Sequence, residues 1–221
     1  MEKKFKLAPS ILSADFSDLQ SALNICKKGG ADWVHIDVMD NQFVPNLTVG
    51  PLVVKALRNK TEKFLDVHMM VIQPEKLVEP FARAGADSIT FHIEAAEDPA
   101  SIIDLIKSCG CKAGLSIKPQ TPLSRIYPFL SDIDIILLMT VEPGFGGQGY
   151  IEGSNDRIRQ VRNYLNENCL TNVLIEVDGG VKLHNASEVI NSGANILVAG
   201  SEVFKSEDPV QTIREFYKLA D

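Results

Sequence analysis

The feature that most constrains this chain is a junction that occurs three times: Gly30-Ala31-Asp32, Gly85-Ala86-Asp87 and Gly193-Ala194-Asn195, each followed by a short apolar run. Glycine tolerates the left-handed backbone that closes a helix, and the runs VHI, SITF and ILVA suit strands buried on both faces. Each junction therefore reads as a helix stop followed by a strand start. Gly85 lies 55 residues beyond Gly30, and Gly193 lies 108 beyond Gly85, close to a ratio of one to two. Two and four strand–helix units fill those gaps at about 27 residues each, and eight units need about 216, within reach of a compact (β/α)8 barrel. The chain has 221 residues. The spacing predicts an α/β TIM barrel, one domain over residues 1–221, with its active site at the C-terminal ends of the strands.

The segments between the junctions agree with that count. Strands read at 7–12, 33–38, 64–69, 88–92, 112–117, 135–140, 173–177 and 196–199, with helical patterns between them. Ser17 and Gln20 read as a capping box ahead of Leu19 and Leu23. Later helices show in Ile158, Val161 and Leu165, and in Val210, Ile213 and Tyr217 behind Pro209 in a first turn. Pro80 predicts an interruption of the third helix. An open doubly wound sheet also alternates strand and helix. Such a sheet usually carries a Gly-rich turn after strand 1, whereas strand 1 here ends in Pro9-Ser10-Ile11-Leu12.

Bulk properties exclude several functions. A hydrophobic fraction of 45% supplies a substantial core. The net charge of −7 is spread along the chain, and no basic run is longer than the Lys3-Lys4 pair, so no nucleic-acid footprint is expected. No apolar stretch approaches the ~18 residues that span a bilayer. Cys26, Cys109, Cys111 and Cys169 occur behind an N-terminus without an apolar signal core, which points to reduced thiols and a cytoplasmic protein. Cys109 and Cys111 form a C-x-C pair, but no second pair at metal-ligand spacing accompanies it.

Catalytic groups of a barrel collect at the C-terminal ends of its strands. Strand 2 ends His35-Ile36-Asp37, strand 3 ends Asp66-Val67-His68 and strand 7 ends Glu176-Val177-Asp178. Alternation puts His35 and Asp37 on one face. His35, Asp37, His68 and Asp178 thus converge on the mouth of the barrel. Each alone reads as a polar strand end bonded to a loop. Together they read as a mixed N/O site for Zn, Mn, Fe(II) or Co, because two buried carboxylates need a cation between them. His92 suggests a structural role or support for a ligand, and His184 a surface position. Glu176 is compatible with a buried ion pair or with a partner behind a ligand.

The loop after strand 6, Pro143-Gly144-Phe145-Gly146-Gly147-Gln148-Gly149, has four glycines in six positions. Gly179-Gly180 and Gly200-Ser201 follow strands 7 and 8. Exposed backbone N–H groups at consecutive strand ends suit a phosphate, although a Gly-rich loop is also compatible with simple mobility.

The segments APSILSADF (8–16), HIDVMDNQFVPNLTVGP (35–51), DVHMMV (66–71), AGADSITFHIEA (84–95), MTVEPGFGGQ (139–148), EVDGGV (176–181) and VAGS (198–201) resemble the signatures of the ribulose-phosphate 3-epimerase family, in its order and over nearly the whole chain. The resemblance implies a TIM-barrel isomerase of the pentose phosphate pathway that interconverts D-ribulose 5-phosphate and D-xylulose 5-phosphate. It implies one divalent metal ion on His35, Asp37, His68 and Asp178, with Asp37 and Asp178 as the acid/base pair. By the same token Ser10 and His68 contact substrate, while Gly144, Phe145, Gly146, Gly147, Gly179, Gly180, Gly200 and Ser201 hold its phosphate. Met39, Met70 and Met139 match the family's pocket-capping methionines; ordinary core packing is their alternative. A homo-oligomer is implied too. The chain departs from the common pattern at Met69, at Glu152 after Tyr150-Ile151, and at Lys118. Rival readings are an epimerase for allulose 6-phosphate, a metal-dependent hexulose-phosphate lyase, and a sugar-phosphate sensor without catalysis.

Overall fold

Eight parallel strands pair in the order β1-β8-β7-β6-β5-β4-β3-β2 in the computed structural model, which describes residues 4–219. In chain order the elements are β1 (Lys6–Ala8), α1 (Leu19–Gly29), β2 (Trp33–Met39), α2 (Pro51–Arg58), β3 (Phe64–Met70), α3 (Glu75–Ala84), β4 (Ser88–His92), α4 (Pro99–Ser108), β5 (Lys112–Ile117), β6 (Ile135–Met139), α5 (Ser154–Glu167), β7 (Leu174–Asp178), α6 (Leu183–Asn191), β8 (Ile196–Val198), α7 (Ser201–Phe204) and α8 (Pro209–Lys218). β1 meets β2 through a bridge between Ser10 and His35, and the His35 N–H donates to the Pro9 carbonyl. The fold is a TIM barrel, not an open sheet. Among the described residues no helix is long and apolar enough to cross a membrane. All four cysteines are free.

The barrel interior changes character along its axis. Its lower end is an apolar plug of Ala8, Trp33, Ile135 and Ile196, joined by Phe64 and Leu174, with the Trp33 and Phe64 rings stacked 4.1 Å apart. Above it lie fully buried polar groups: His35, Asp66, Ser88, Ser116 and Glu176. Residues that alternate with these point outward and pack on the helices; Val34, Ile36, Leu65, Val67 and Ile175 belong to that larger core. A polar middle layer is costly unless its groups are paired, so its presence already marks the upper half of the barrel as functional.

The three repeated junctions do more than stop helices. Asp32 accepts the Leu7 N–H on its side chain (3.1 Å) and donates its own N–H to the Leu7 carbonyl (3.1 Å). Asp87 makes the same pair of bonds with Leu65, at 2.7 and 2.9 Å, and Asn195 with Ile175, at 2.9 and 2.8 Å. Asp134 does so with Ala113, at 2.9 and 2.8 Å. The start of every odd strand is thus clasped by the residue before the following even strand. Each clasp has a further donor: the Tyr217 hydroxyl on Asp32, Arg58 on Asp87, Lys112 on Asp134 and Arg162 on Asn195.

Four local expectations change. β1 ends at Ala8 because Pro9 has no N–H to donate; residues Ile11–Ser13 form a 3-10 turn whose cap is Ser10, accepting from the Leu12 N–H. The cap of α1 is Asp18, accepting from Ser21, while Ser17 bonds to Asp15 and the side chain of Gln20 reaches Asn24. α3 runs unbroken through Pro80, since the buried stripe Val78, Phe81 and Ala84 offsets the ~3 kcal/mol that an interior proline costs. Between β5 and β6 there is no α-helix, only 3-10 turns at Leu123–Arg125 and Tyr127–Asp132; Pro119, Pro122 and Pro128 prevent continuous helical bonding there.

Candidate active site

The strand register builds the site. β2 and β3 pair His35 with Asp66 and Asp37 with His68; β4 adds Ser88 beside Asp66; β6 pairs Met139 with Asp178 of β7. His35, His68 and His92 are fully buried, Asp37 is 5% exposed and Asp178 partly so. His35 Nε2 stands 3.4 Å from Asp37 Oδ1, and His68 Nδ1 stands 3.2 Å from Asp37 Oδ1 and 3.7 Å from Asp178 Oδ2. One ligand atom from each of these four residues lies within 4.8 Å of all the others. Ligands ~2.1 Å from a tetrahedral centre stand about 3.4 Å apart, so the spacing suits a first-row divalent cation. His35 Nε2 supports the same fit, being buried without a hydrogen-bond partner among the described residues.

Neighbouring groups fix the orientation of these side chains. Asp37 Oδ2 accepts from the Ser10 hydroxyl at 2.5 Å. Asp66 takes His35 Nδ1 at 2.6 Å and the Ser88 hydroxyl at 2.5 Å. Behind His68, its Nε2 lies 2.9 Å from His92 Nε2, and His92 Nδ1 lies 3.2 Å from Glu94. His92 therefore backs His68 and is not an isolated core histidine. Glu176 is buried beneath the site with its Oε1 3.5 Å from His35 Nδ1. His184 is exposed on α6.

The electrostatics separate the two aspartates. Burial works against ionising Asp37, but His35 and His68 outweigh it and hold its carboxyl far below the usual range. Burial, reinforced by the charge of Asp37, pushes Asp178 up to about 6. Burial also opposes charge on His35, yet Asp37, Asp66 and Glu176 together raise it well above its ordinary value. Glu176 is pushed well above the carboxylate range by burial and by Asp66. His92 is pushed down to about 4, first by burial and then by His68 and Lys118, against the pull of Glu94. Burial opposes ionisation of Glu94 as well, but bonds from His92, Thr121 and the Lys118 N–H bring it down to about 2.

Above the carboxylates opens a cleft lined by Ser10, Asp37, Met39, Met70, Met139 and Asp178, and by Gly144, Phe145, Gly146, Gly147, Gly179, Gly180, Gly200 and Ser201. His35 and His68 are fully buried beside Asp37, so the four expected ligands and the expected cleft residues meet in one place, while His184 lies apart on α6. Met39 and Met70 pack with Val44, and Met139 packs with Leu137 and Val141. Two of these glycines are required sterically: a Cβ on Gly180, at φ 66°, would strike the Tyr150 backbone, and one on Gly179, at φ 118°, would strike Val141. The loop after β6 is tied down, with Asn46 Nδ2 donating to the Gly144 carbonyl at 2.8 Å and Gln148 Nε2 to the carbonyls of Glu142 and Phe145. Phe145 is more than half exposed at its tip.

Sequence reasoning missed Ser13, Val141 and Gln148 in the lining, and Asp66, Ser88 and Glu94 in the support. Asp66 was within reach of it, because it sits two positions before His68 and so shares its face. The bond from Ser88 is a cross-strand contact that only the register reveals.

Comparison with known proteins agrees with this arrangement. Residues 6–204 match the model of the ribulose-phosphate 3 epimerase family. The ribulose-phosphate 3-epimerase of Serratia marcescens is 50% identical over 208 residues, covering 93% of this chain and 98% of its own. That of Bacillus subtilis (strain 168) is 48% identical over 210 residues, covering 95% and 97%. Among solved structures, KGPDC from Streptococcus mutans superposes with a TM-score of 0.74 over 98% of this chain and 97% of its own, at 14% identity, which is a likeness of fold alone.

Proposed function

Because the chain belongs to the ribulose-phosphate 3-epimerase family, we propose that it interconverts D-ribulose 5-phosphate and D-xylulose 5-phosphate with Asp37 and Asp178 as opposed acid and base. The two sugars differ at C3, whose proton is acidified by the neighbouring C2 carbonyl. Inversion needs that proton taken from one face and a proton delivered to the other. A single base returning what it took would restore the starting sugar. Two carboxylates reach one cleft from β2 and β7, with β1 and β8 between them in the ring, and in this scheme they address the sugar carbon from opposite faces.

The observation that carries the reading is geometric: Asp37 Oδ1 and Asp178 Oδ2 stand 3.2 and 3.7 Å from the same His68 nitrogen, and both side chains line one cleft. The imidazoles lower Asp37 while burial and the charge of Asp37 raise Asp178, so the two carboxyls differ in their hold on a proton, as an acid and base pair requires. In the reverse direction the roles exchange. Ser10 fixes the Asp37 carboxylate by bonding Oδ2, leaving Oδ1 toward the histidines. Gly144, Phe145, Gly146, Gly147, Gly179, Gly180, Gly200 and Ser201 would surround the phosphate with backbone N–H groups. Met39, Met70 and Met139 would cover the carbon chain and exclude water.

His35 Nε2, Asp37, His68 Nδ1 and Asp178 fit a divalent cation of the Zn, Fe(II), Mn or Co type. When bound there, it would supply positive charge that stabilises the enediolate left by deprotonation, an effect worth several kcal/mol.

Protein purified without chelator tests the proposal through metal analysis and parallel assays on D-ribulose 5-phosphate and D-allulose 6-phosphate. The expected result is about one divalent cation per chain, fast turnover of the five-carbon sugar, slow turnover of the six-carbon one and no formaldehyde release. Preference for allulose 6-phosphate or release of formaldehyde would replace the proposed substrate or reaction, and full activity of Asp178→Asn would remove the two-base scheme.

A further inference from the structure

The two buried imidazoles present different nitrogens to the site, and the groups behind them explain why. His35 gives Nδ1 to Asp66 at 2.6 Å and leaves Nε2 toward Asp37. His68 is turned the other way: Nδ1 faces Asp37 and Asp178, and Nε2 faces His92 at 2.9 Å. Two ring nitrogens at that distance share one proton, so one donates and the other accepts. Which one donates is settled further out. Glu94 Oε1 accepts the Lys118 N–H at 2.8 Å, and its Oε2 lies 3.2 Å from His92 Nδ1. An ionised carboxylate only accepts, so His92 carries its proton on Nδ1 and offers a lone pair at Nε2. His68 must then carry hydrogen on Nε2, which frees the Nδ1 lone pair for the centre of the site.

We propose that His92, aligned by Glu94, is a positioning residue that locks His68 in the Nε2–H tautomer, so that His68 holds the cation through Nδ1 while His35 holds it through Nε2. This rests on the metal reading given above. The chain His68–His92–Glu94 is buried at both histidines, and the Phe43 ring lies 4.8 Å from His92 with the Lys118 ammonium 4.0 Å from the centroid of that Phe43 ring, so His92 has little freedom to turn. Partners of this kind behind a histidine ligand fix its tautomer and orientation, and removing one typically weakens metal binding by about 10–100-fold.

The test compares the wild-type protein with His92→Phe, which keeps a ring but loses the acceptor, and with His92→Gln, whose amide oxygen restores one. Zn(II) affinity is measured by competition with a chelator, Co(II) spectra are recorded, and circular dichroism checks folding. Expected is a loss of about 10–100-fold in Zn(II) affinity and an altered Co(II) band for His92→Phe, with substantial recovery in His92→Gln. In the Zn(II)-loaded wild-type protein, nitrogen-15 NMR should show the proton of His68 on Nε2 and that of His35 on Nδ1. Wild-type affinity and spectrum in a folded His92→Phe, or a proton on His68 Nδ1, would overturn the inference while leaving the metal reading intact. No divalent cation uptake by the wild-type protein would overturn the metal reading, and the inference with it. If His92→Phe fails to fold, the NMR assignment on the wild-type protein decides alone.

Discussion

At the lower end of the barrel Asp87 accepts from the Leu65 N–H and from Arg58, and the equivalent residues Asp32, Asp134 and Asn195 are matched in the same way. At the upper end Asp37 and Asp178 share a cavity with two imidazoles, and His35 Nε2 has no hydrogen-bond partner among the described residues. Both ends hold carboxylates within a few ångströms of strand termini. The lower set repeats with the barrel's symmetry and closes on itself, whereas the upper set breaks the symmetry and gathers four donor atoms within 4.8 Å of one another. The difference separates residues that hold the barrel from residues that act at its mouth, as expected of a fold whose chemistry gathers at one face.

The comparison is broken most severely at the mouth. Asp37→Asn and Asp178→Asn should each lower kcat by about 10³-fold or more, within the range for loss of a general acid or base, with circular dichroism unchanged. At the lower end the effects reverse. Asp87→Ala orphans the Leu65 N–H and frees Arg58, so it should cost about 2–3 kcal/mol of stability in urea unfolding while kcat stays within a factor of two.

The pH dependence of the metal-free protein sharpens the contrast. Asp178 is raised in the folded state from 3.8 to about 6, so its contribution to stability is present below pH 4 and is lost as pH rises through 6. Unfolding of chelator-treated wild type compared with Asp178→Asn should therefore diverge between pH 4 and 6, reaching on the order of 3 kcal/mol in favour of the variant above that window. The smallest effect is expected from Asn195→Asp, which turns the fourth clasp into a carboxylate like the others and faces Arg162. Its stability should change by less than about 1 kcal/mol, checked by thermal unfolding.

The same division governs what could be read from the sequence. The lower end repeats, and so Gly-Ala-Asp/Asn at 30–32, 85–87 and 193–195 revealed the eightfold count. The fourth clasp at Asp134 escaped notice because the segment before it forms 3-10 turns and needs no helix-closing glycine. At the mouth, alternation along β2, β3 and β7 was enough to bring His35, Asp37, His68 and Asp178 together. The bonds behind them were not legible, since Ser88 to Asp66 and His92 to His68 join different strands and depend on register and side-chain rotation. Pro80 misled for a related reason: its local penalty is fixed, while the burial of Phe81 that offsets it is a tertiary fact.

Opposed proton transfer is tested most directly by single-turnover conversion of D-ribulose 5-phosphate in heavy water, with deuterium at C3 read in both the product and the recovered substrate. Two carboxylates working from opposite sides predict D-xylulose 5-phosphate labelled at C3 and recovered D-ribulose 5-phosphate essentially free of label. Product without deuterium would mean that the abstracted proton is itself carried across the sugar, which contradicts the separate roles assigned to Asp37 and Asp178.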